Sequence, residues 1–291
     1  MNKLLLIAAA VILPLCVCAG DRSACPTPEV KVMTFNIRTD TPIDSLNAWP
    51  YRKDRVANAI KFYDADIVGT QEVRPHQLTD LEERLPGYAH VGQGRRSDGN
   101  ARDEHCTLWY KADRFDMLDN GTFWLSENPD KIGSKGWDSA YPRIATWAKL
   151  RDRITGKELL AVNTHLDHKG PQARREGARL LLTKVNELGQ GLPVVMTGDF
   201  NARPDEVPYQ EITDMSNPLH LTDSRTVAAL VYGPAWTWHN FGRTPMDRRC
   251  FIDYLFVGGP LTVNRYGVLA EKEGNEFLSD HAPALIGITL D

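Results

Sequence analysis

The sequence predicts an α/β sandwich with sheets in the middle and helices outside, on three observations. Apolar segments of strand length recur along the chain, helical stretches lie between some of them, and the β segments look antiparallel in the main. At 291 residues, 42% apolar and 25% charged, the chain can bury one large core or two modest ones. No internal repeat, low-complexity segment or long linker divides it, so residues 20–291 read as a single domain.

In chain order, the opening MNKLLLIAAAVILPLCVCAG places Lys3 before an apolar run that ends in small residues, the pattern of a secretory signal. Residues 1–19 are assigned to it, with cleavage after Ala19 or Gly20, and an exported protein, periplasmic or extracellular, is expected. The apolar centre is too short to prefer spanning a bilayer, so no transmembrane segment is expected after its removal. Cys16, Cys18 and Cys25 leave a lipid-anchored form open, although none follows a persuasive set of residues. Strands are expected at VKVMTFNI, DIVGT, TLWY, FDMLDNGTFWL, ATWAKL, LLAVNTHL, PVVMTG, FIDYLFV and APALIGITL. A helix is expected over RKDRVANAIKFY, where Val56, Ala59, Ile60 and Tyr63 share a face. A second runs through PQARREGARLLLTKVNEL, with Pro171 at its first position and Ala178, Leu181, Leu182, Val185 and Leu188 on one side.

The informative regularity is where these strands stop. The first ends at Asn36, the second runs into Gln71 and Glu72, and LLAVNTHLDH carries Asn163, His165, Asp167 and His168. PVVMTG delivers Asp199 and Asn201, FIDYLFV holds Asp253, and LSDHAPAL sets Asp280 and His281 before the last strand. Singly, each has a bland explanation, since Asp and Asn begin turns and a strand-end His bonds backbone. Together they suggest a site. A carboxylate such as Asp253 in an apolar strand is costly without a compensating cation or hydrogen bonds. If the strand ends converge, Glu72 and Asp280 supply hard oxygen ligands and Asn36 a neutral amide oxygen. Mg²⁺ fits that set with waters completing the octahedron, and Mn²⁺ can substitute, whereas a zinc site would favour His or Cys. His165 and His281 then flank the cation, and Asp253 can fix the tautomer of one of them. Such a combination suits attack of water on phosphorus.

FNIR, QEV, NTHLDH, GDFNARPD, IDYLF and SDH, in this order and spacing, resemble the endonuclease/exonuclease/phosphatase superfamily from about Val30 to Leu290. The resemblance implies a four-layer α/β/β/α sandwich of the deoxyribonuclease I type, two packed, mostly antiparallel sheets with outer helices, and an active site at one end of the sheets. It implies that Asn36, Glu72 and Asp280 hold the metal, and that His165 contacts the scissile phosphate and protonates the leaving group. It gives Asp199 the attacking water and Asn201 a phosphate oxygen, and pairs Asp253 with His281. Either Asp199 or the Asp253–His281 pair takes the water's proton. Arg143 sits near the phosphate by the same analogy or else forms a surface ion pair. His168 reaches the phosphate or simply begins the loop before Pro171. Cys106 is expected to be a packed strand residue rather than a nucleophile.

An exported Mg²⁺-dependent phosphoesterase is therefore expected, acting on a phosphate ester, a phosphodiester by preference. The formal net charge of −4 offers no field to hold a polyanion, so nucleic acid is not favoured, although GRRSDGNAR and RTPMDRRC leave room for a local phosphate contact. No apolar hairpin for a lipid interface is evident. Trp236, Trp238, His239 and Phe241 can stack a base or sugar, or cap the core. The alternatives are a secreted nuclease on DNA or RNA, a sphingomyelinase-like lipid phosphodiesterase, and a catalytically silent phosphate-binding module. Cys25, Cys106 and Cys250 allow at most one disulfide, and oligomeric state is not legible.

Overall fold

The computed structural model describes residues 28–273 and 276–291, so the expected signal segment, residues 1–19, and Cys25 lie outside it. The helices are α1 (Lys53–Phe62), α2 (Pro75–Arg84), α3 (Pro171–Gly189), α4 (Val207–Thr213) and α5 (Ser224–Val227). The first eight strands are β1 (Val30–Asn36), β2 (Ile67–Val73), β3 (Tyr88–Val91), β4 (His105–Lys111), β5 (Phe115–Trp124), β6 (Ile144–Asp152), β7 (Glu158–His165) and β8 (Val194–Asp199). They are followed by β9 (Thr222–Asp223), β10 (Leu230–Tyr232), β11 (Asp253–Gly258), β12 (Leu261–Val268), the short pair β13 (Lys272–Glu273) and β14 (Glu276–Phe277), and β15 (Ala284–Leu290). Seven strands form one sheet in the order β10-β12-β15-β1-β2-β4-β3, and six form the other, β5-β6-β7-β8-β11-β9. The two sheets pack face to face with the helices outside, which is the expected sandwich.

Each expected strand is present, and the helices at α1 and α3 begin and end within a residue of expectation. The inner faces of both sheets share one core, in which Val30, Val32, Leu160, Val162, Val195, Leu255 and Ile286 are all fully buried. The sheets approach so closely at Gly69 that a Cβ there would stand 2.1 Å from Thr197 Oγ1. Next to it lies a polar stitch. Asn163 donates to the carbonyls of Thr70 and Thr107 at 2.9 and 3.0 Å, and its oxygen accepts from Gln71 Nε2 at 2.6 Å and Thr197 Oγ1 at 3.1 Å. Gln71 and Asn163 thus belong to the interior rather than to the site, with Asn163 fully bonded and Gln71 held through its Nε2 alone.

Topology explains why polar residues gather at one rim. β1 and β2 run parallel, as do β7 and β8, so Asn36, Glu72, His165 and Asp199 all lie at carboxyl ends facing the same way. β11 is antiparallel to β8 with Asp253 opposite Asp199, and β15 is antiparallel to β1, which brings the Ser279–His281 turn to the same end. Among the described residues no helix is long and apolar enough to cross a membrane.

Candidate active site

Two of these residues depend on an unusual backbone. The register between β2 and β4 shifts between Thr70 and Val73, and within that bulge Glu72 adopts φ 64°. Asn201, just past β8, has φ 46°. Left-handed conformations cost energy in non-glycine residues and concentrate where a side chain must be re-aimed. Here both side chains turn toward the gap between the sheets.

Asn36 joins the two halves. Its Nδ2 donates to Glu72 Oε1 at 3.1 Å and to Asp199 Oδ2 at 2.9 Å, while its Oδ1 accepts from the Arg38 N–H at 3.0 Å. In this orientation the amide bridges two carboxylates, and offering its oxygen to a cation requires the group to turn over. Glu72 also accepts from the Thr39 N–H at 2.8 Å. Asp199 accepts from the Asn201 N–H at 2.9 Å and stands 3.5 Å from His165 Nε2 and 3.8 Å from His281 Nε2. His281 Nδ1 bonds Asp253 Oδ2 at 2.8 Å, and Asn201 Nδ2 lies 3.0 Å from His165 Nε2. Asp280 accepts from Ser279 Oγ at 3.2 Å and has Arg38 Nη1 at 3.8 Å.

Residues that no sequence pattern marked hold this frame. Thr237 Oγ1 accepts the N–H groups of Ile252 and Asp253, both at 3.0 Å, and its carbonyl accepts from Ala282 at 2.7 Å, so one buried threonine fixes both arms of the Asp253–His281 pair. Arg52, fully buried, donates from Nη1 to Ile37 O at 2.9 Å and Leu278 O at 2.8 Å, pinning the final turn to the end of β1.

The electrostatics separate the titratable groups. Burial, with the charge of Asp253 behind it, pushes Asp199 up to about 7. Burial opposes the charge on His281, but Asp253 overcomes it and raises the imidazole to about 10. His165 goes the other way, since burial and the guanidinium groups of Arg143 and Arg95 hold it far below its ordinary value. Burial works against the charge of Glu72 too, yet Arg38 and the Thr39 N–H keep its carboxyl low, while burial raises Asp280.

One cavity of about 530 Å³ collects these groups. Glu72, His165, Asp199, Asn201, Asp280 and His281 line it, and Arg38, Arg95, Glu104, Tyr141, Arg143, His168, Arg203, Trp238 and Cys250 complete its wall. Asn36 and Asp253 stand directly behind. Glu72, His165 and Asp199 present ligand atoms close enough to share one metal ion, as do Asp199, Asp253 and His281. A cluster of hard carboxylate oxygens with imidazoles at its edge suits a divalent cation.

Arg143 is buried, with Nε 3.2 Å from Asp167 Oδ2 and Nη2 3.0 Å from His168 Nδ1, so it forms an internal pair on the cavity wall rather than a surface one. His168 does begin the loop before Pro171, and it lines the cavity as well. Of the aromatic loop only Trp238 reaches the cavity. Phe241 and His239 are buried, and Trp236 lies under Arg249. Arg95 comes from GRRSDGNAR, the stretch left open for a local phosphate contact, and it lines the cavity. Cys106 is a buried β4 residue that burial pushes up to about 12, and neither it nor Cys250 is in a disulfide.

A cation-ready cluster of acids, amides and imidazoles at the rim of such a sandwich defines a class of enzymes that hydrolyse phosphate esters. The chain belongs to the endonuclease/exonuclease/phosphatase family, whose model matches residues 33–281. A Bacteroides vulgatus protein described as an endonuclease/exonuclease/phosphatase is 44% identical, with a TM-score of 0.87 over 91% of this chain and 100% of that one. The Bacteroides thetaiotaomicron mannosyl-6-phosphatase is 37% identical, with a TM-score of 0.82 over 89% and 99%. Human nocturnin is 24% identical over 81% of this chain but only 58% of its own length, and Drosophila angel 24% over 65% and 57%, so the chain spans little more than half of these two relatives.

Proposed function

We propose that the protein is a divalent-metal-dependent phosphoesterase acting on a small phosphate ester. The observation that carries this is the convergence of Glu72, Asp199, Asp253 and Asp280 around one cavity with Arg38 and His281 as their nearest cationic partners. Charge so incompletely matched calls for a bound cation and an anionic substrate to complete it. Glu72 and Asp280, with Asn36 once its amide turns, would hold Mg²⁺ or Mn²⁺, which neutralises charge on phosphoryl oxygens.

The residues divide the remaining work. Asp199, with a pKa near neutrality, takes the proton of a water whose oxygen bonds to phosphorus as the ester P–O bond breaks, and the electron pair leaves with the departing oxygen, which takes a proton from solvent water. His281 is an imidazolium at neutral pH and donates to a phosphoryl oxygen, so the Asp253–His281 pair stabilises charge and Asp199 is the base. Asn201 Nδ2, which here faces His165 Nε2 and the Leu166 carbonyl, supplies a second donor once it releases one of them. His165 is neutral and already faces Asn201, which suits contact with the phosphate better than protonation of the leaving group. A bounded cavity of about 530 Å³ favours small esters over a polynucleotide track. The mannosyl-6-phosphatase relative supports a phosphomonoester, where the sequence alone had suggested a diester.

The test is phosphate release from sugar phosphates and p-nitrophenyl phosphate, beside bis-p-nitrophenyl phosphate, plasmid DNA and sphingomyelin, with Mg²⁺, Mn²⁺ or chelator, and with His281→Ala as control. Metal-dependent turnover of monoesters that is lost in the variant is expected. Nicked plasmid as the only product would transfer the site to the nucleases, and metal-insensitive binding without turnover would make it a silent module. We further propose export through removal of residues 1–19. Amino-terminal sequencing of the secreted protein checks it, and an intact Met1 would refute it.

A further inference from the structure

Arg95 and Glu104 form an ion pair on the cavity wall, Nη1 to Oε2 at 2.8 Å, that no step of the proposed hydrolysis uses. We propose that this pair is a specificity subsite for a neutral, hydroxyl-rich leaving group, so that the substrate is a phosphorylated sugar or polyol. The inference rests on the phosphoesterase reading and extends it to the part of the substrate that does not react.

The pair is built rather than incidental. Asp103 accepts the N–H groups of Arg96 and Ser97 at 2.9 and 2.8 Å and so shapes the loop that carries Arg95. The Arg95 N–H donates to Glu104 O at 3.0 Å, and its carbonyl accepts Trp124 Nε1 at 2.7 Å. Its guanidinium lies 4.8 Å over the Tyr141 ring, which in turn stacks on His168 with centroids 6.0 Å apart. Arg95 is only 8% exposed, and its Nε has no partner within the protein. An ion pair this enclosed adds little net stability, and an orphaned buried donor is tolerated chiefly where function fixes the side chain's orientation.

Hydrogen-bond chemistry then selects the ligand. A guanidinium only donates and a carboxylate only accepts, whereas a hydroxyl does both. Neighbouring hydroxyls therefore satisfy the two side chains together. A second phosphate would set its oxygens against those of Glu104 and gain nothing from a pair whose charges already cancel, which disfavours a polyanion at this position. Glu72, Arg143 and His165 line the main cavity together with Arg95 and Glu104, so the subsite adjoins the position proposed for the reacting phosphate.

The experiment compares kcat/KM for hexose 6-phosphates, their monodeoxy analogues and p-nitrophenyl phosphate in wild-type protein, Glu104→Gln and Arg95→Lys. Wild type should prefer at least one hexose phosphate over its deoxy analogue by about tenfold or more, the usual loss when a buried charged group forfeits a hydroxyl partner. That ratio should fall below about threefold in the variants. Absence of discrimination in wild type overturns the subsite, as does an equal loss on every substrate, which would place Glu104 in the common chemistry or the metal site. Should a variant fail to fold, the deoxy series on wild type decides alone. No turnover of any ester would remove the hydrolase reading and the subsite with it, and turnover of p-nitrophenyl phosphate alone removes only the subsite.

Discussion

Both ends of the sandwich bury aspartates, but Asp66 and Asp152 at one end and Asp199 and Asp280 at the other are treated oppositely. At the end away from the cavity, Asp66 receives Arg114 at 2.6 Å and Lys111 at 2.9 Å, and Asp152 receives Arg114 at 3.3 Å. Each carboxylate there meets a cation at bonding distance. At the cavity end, Asp199 accepts from Asn36 and Asn201 but has no cation closer than the imidazoles at 3.5 and 3.8 Å, and Asp280 has Arg38 at 3.8 Å. Saturated acids hold a fold together, and undersupplied ones await something that binds. The distinction is energetic, so substitutions at the two ends should fail in opposite ways.

The largest effects belong to the cavity end. Asp199→Asn and His281→Ala should each lower kcat by about 10²–10⁴. Thermal unfolding of Asp199→Asn stays close to wild type, whereas His281→Ala also loses stability because it strands the buried Asp253 carboxylate. Unfolding of Asp199→Asn at ordinary temperature would assign that residue to the core. Asp66→Ala should do the reverse, costing about 1–3 kcal/mol in denaturant titrations because Arg114, Lys111 and the Lys31 N–H lose a buried acceptor, although Arg114 keeps Asp152 and Lys111 keeps Asp64, with turnover per folded molecule retained. A stable Asp66→Ala protein would erase the contrast between the ends.

Metal binding sharpens the comparison without reference to turnover. Mg²⁺ or Mn²⁺ at about 100 times its dissociation constant should raise stability by about 2.7 kcal/mol, and Glu72→Gln should abolish the increment. An equal increment in that variant would move the ion elsewhere. The pH profile comes next. Asp199 must be deprotonated and His281 protonated, so activity should rise through about 7 and fall through about 10, with a bound cation drawing the acid limb lower. Asp253→Asn removes the charge that raises His281, so the alkaline limb should move down toward neutrality. A raised histidine pKa also stabilises the fold below its unfolded value of about 6.5, and that stability is lost as pH climbs toward 10. The smallest effect is expected of Cys106→Ala, whose thiol is pushed up to about 12 and forms no thiolate; less than about a twofold change in turnover is expected.

Why the sequence pointed to residues that gather at the cavity end follows from the same contrast. Asn36, Asp199, Asp253 and His281 interrupt apolar runs, and the interruption itself is the signal. Asp66 also opens an apolar run, yet its partner Arg114 lies 48 positions on, and no local pattern separates a saturated acid from a waiting one. Arg95 and Glu104 were illegible for another reason: loop charges look solvated until folding encloses them. Among elements, β3 was missed because all four of its residues are half-buried, and β12 because a register shift between Val263 and Arg265 breaks its alternation. The face of α2 was disguised by Gln77, a buried polar residue that accepts from Asp40 and Arg74 and donates to Arg38 O.

The last strand, β15, lies between β1 and β12 in the interior of its sheet. A chain without β15 therefore cannot close this layer, and the turn bearing Asp280 and His281 loses its seat with it. Removal of residues 284–290 should accordingly abolish turnover, so catalytic competence doubles as a report that this sheet has closed.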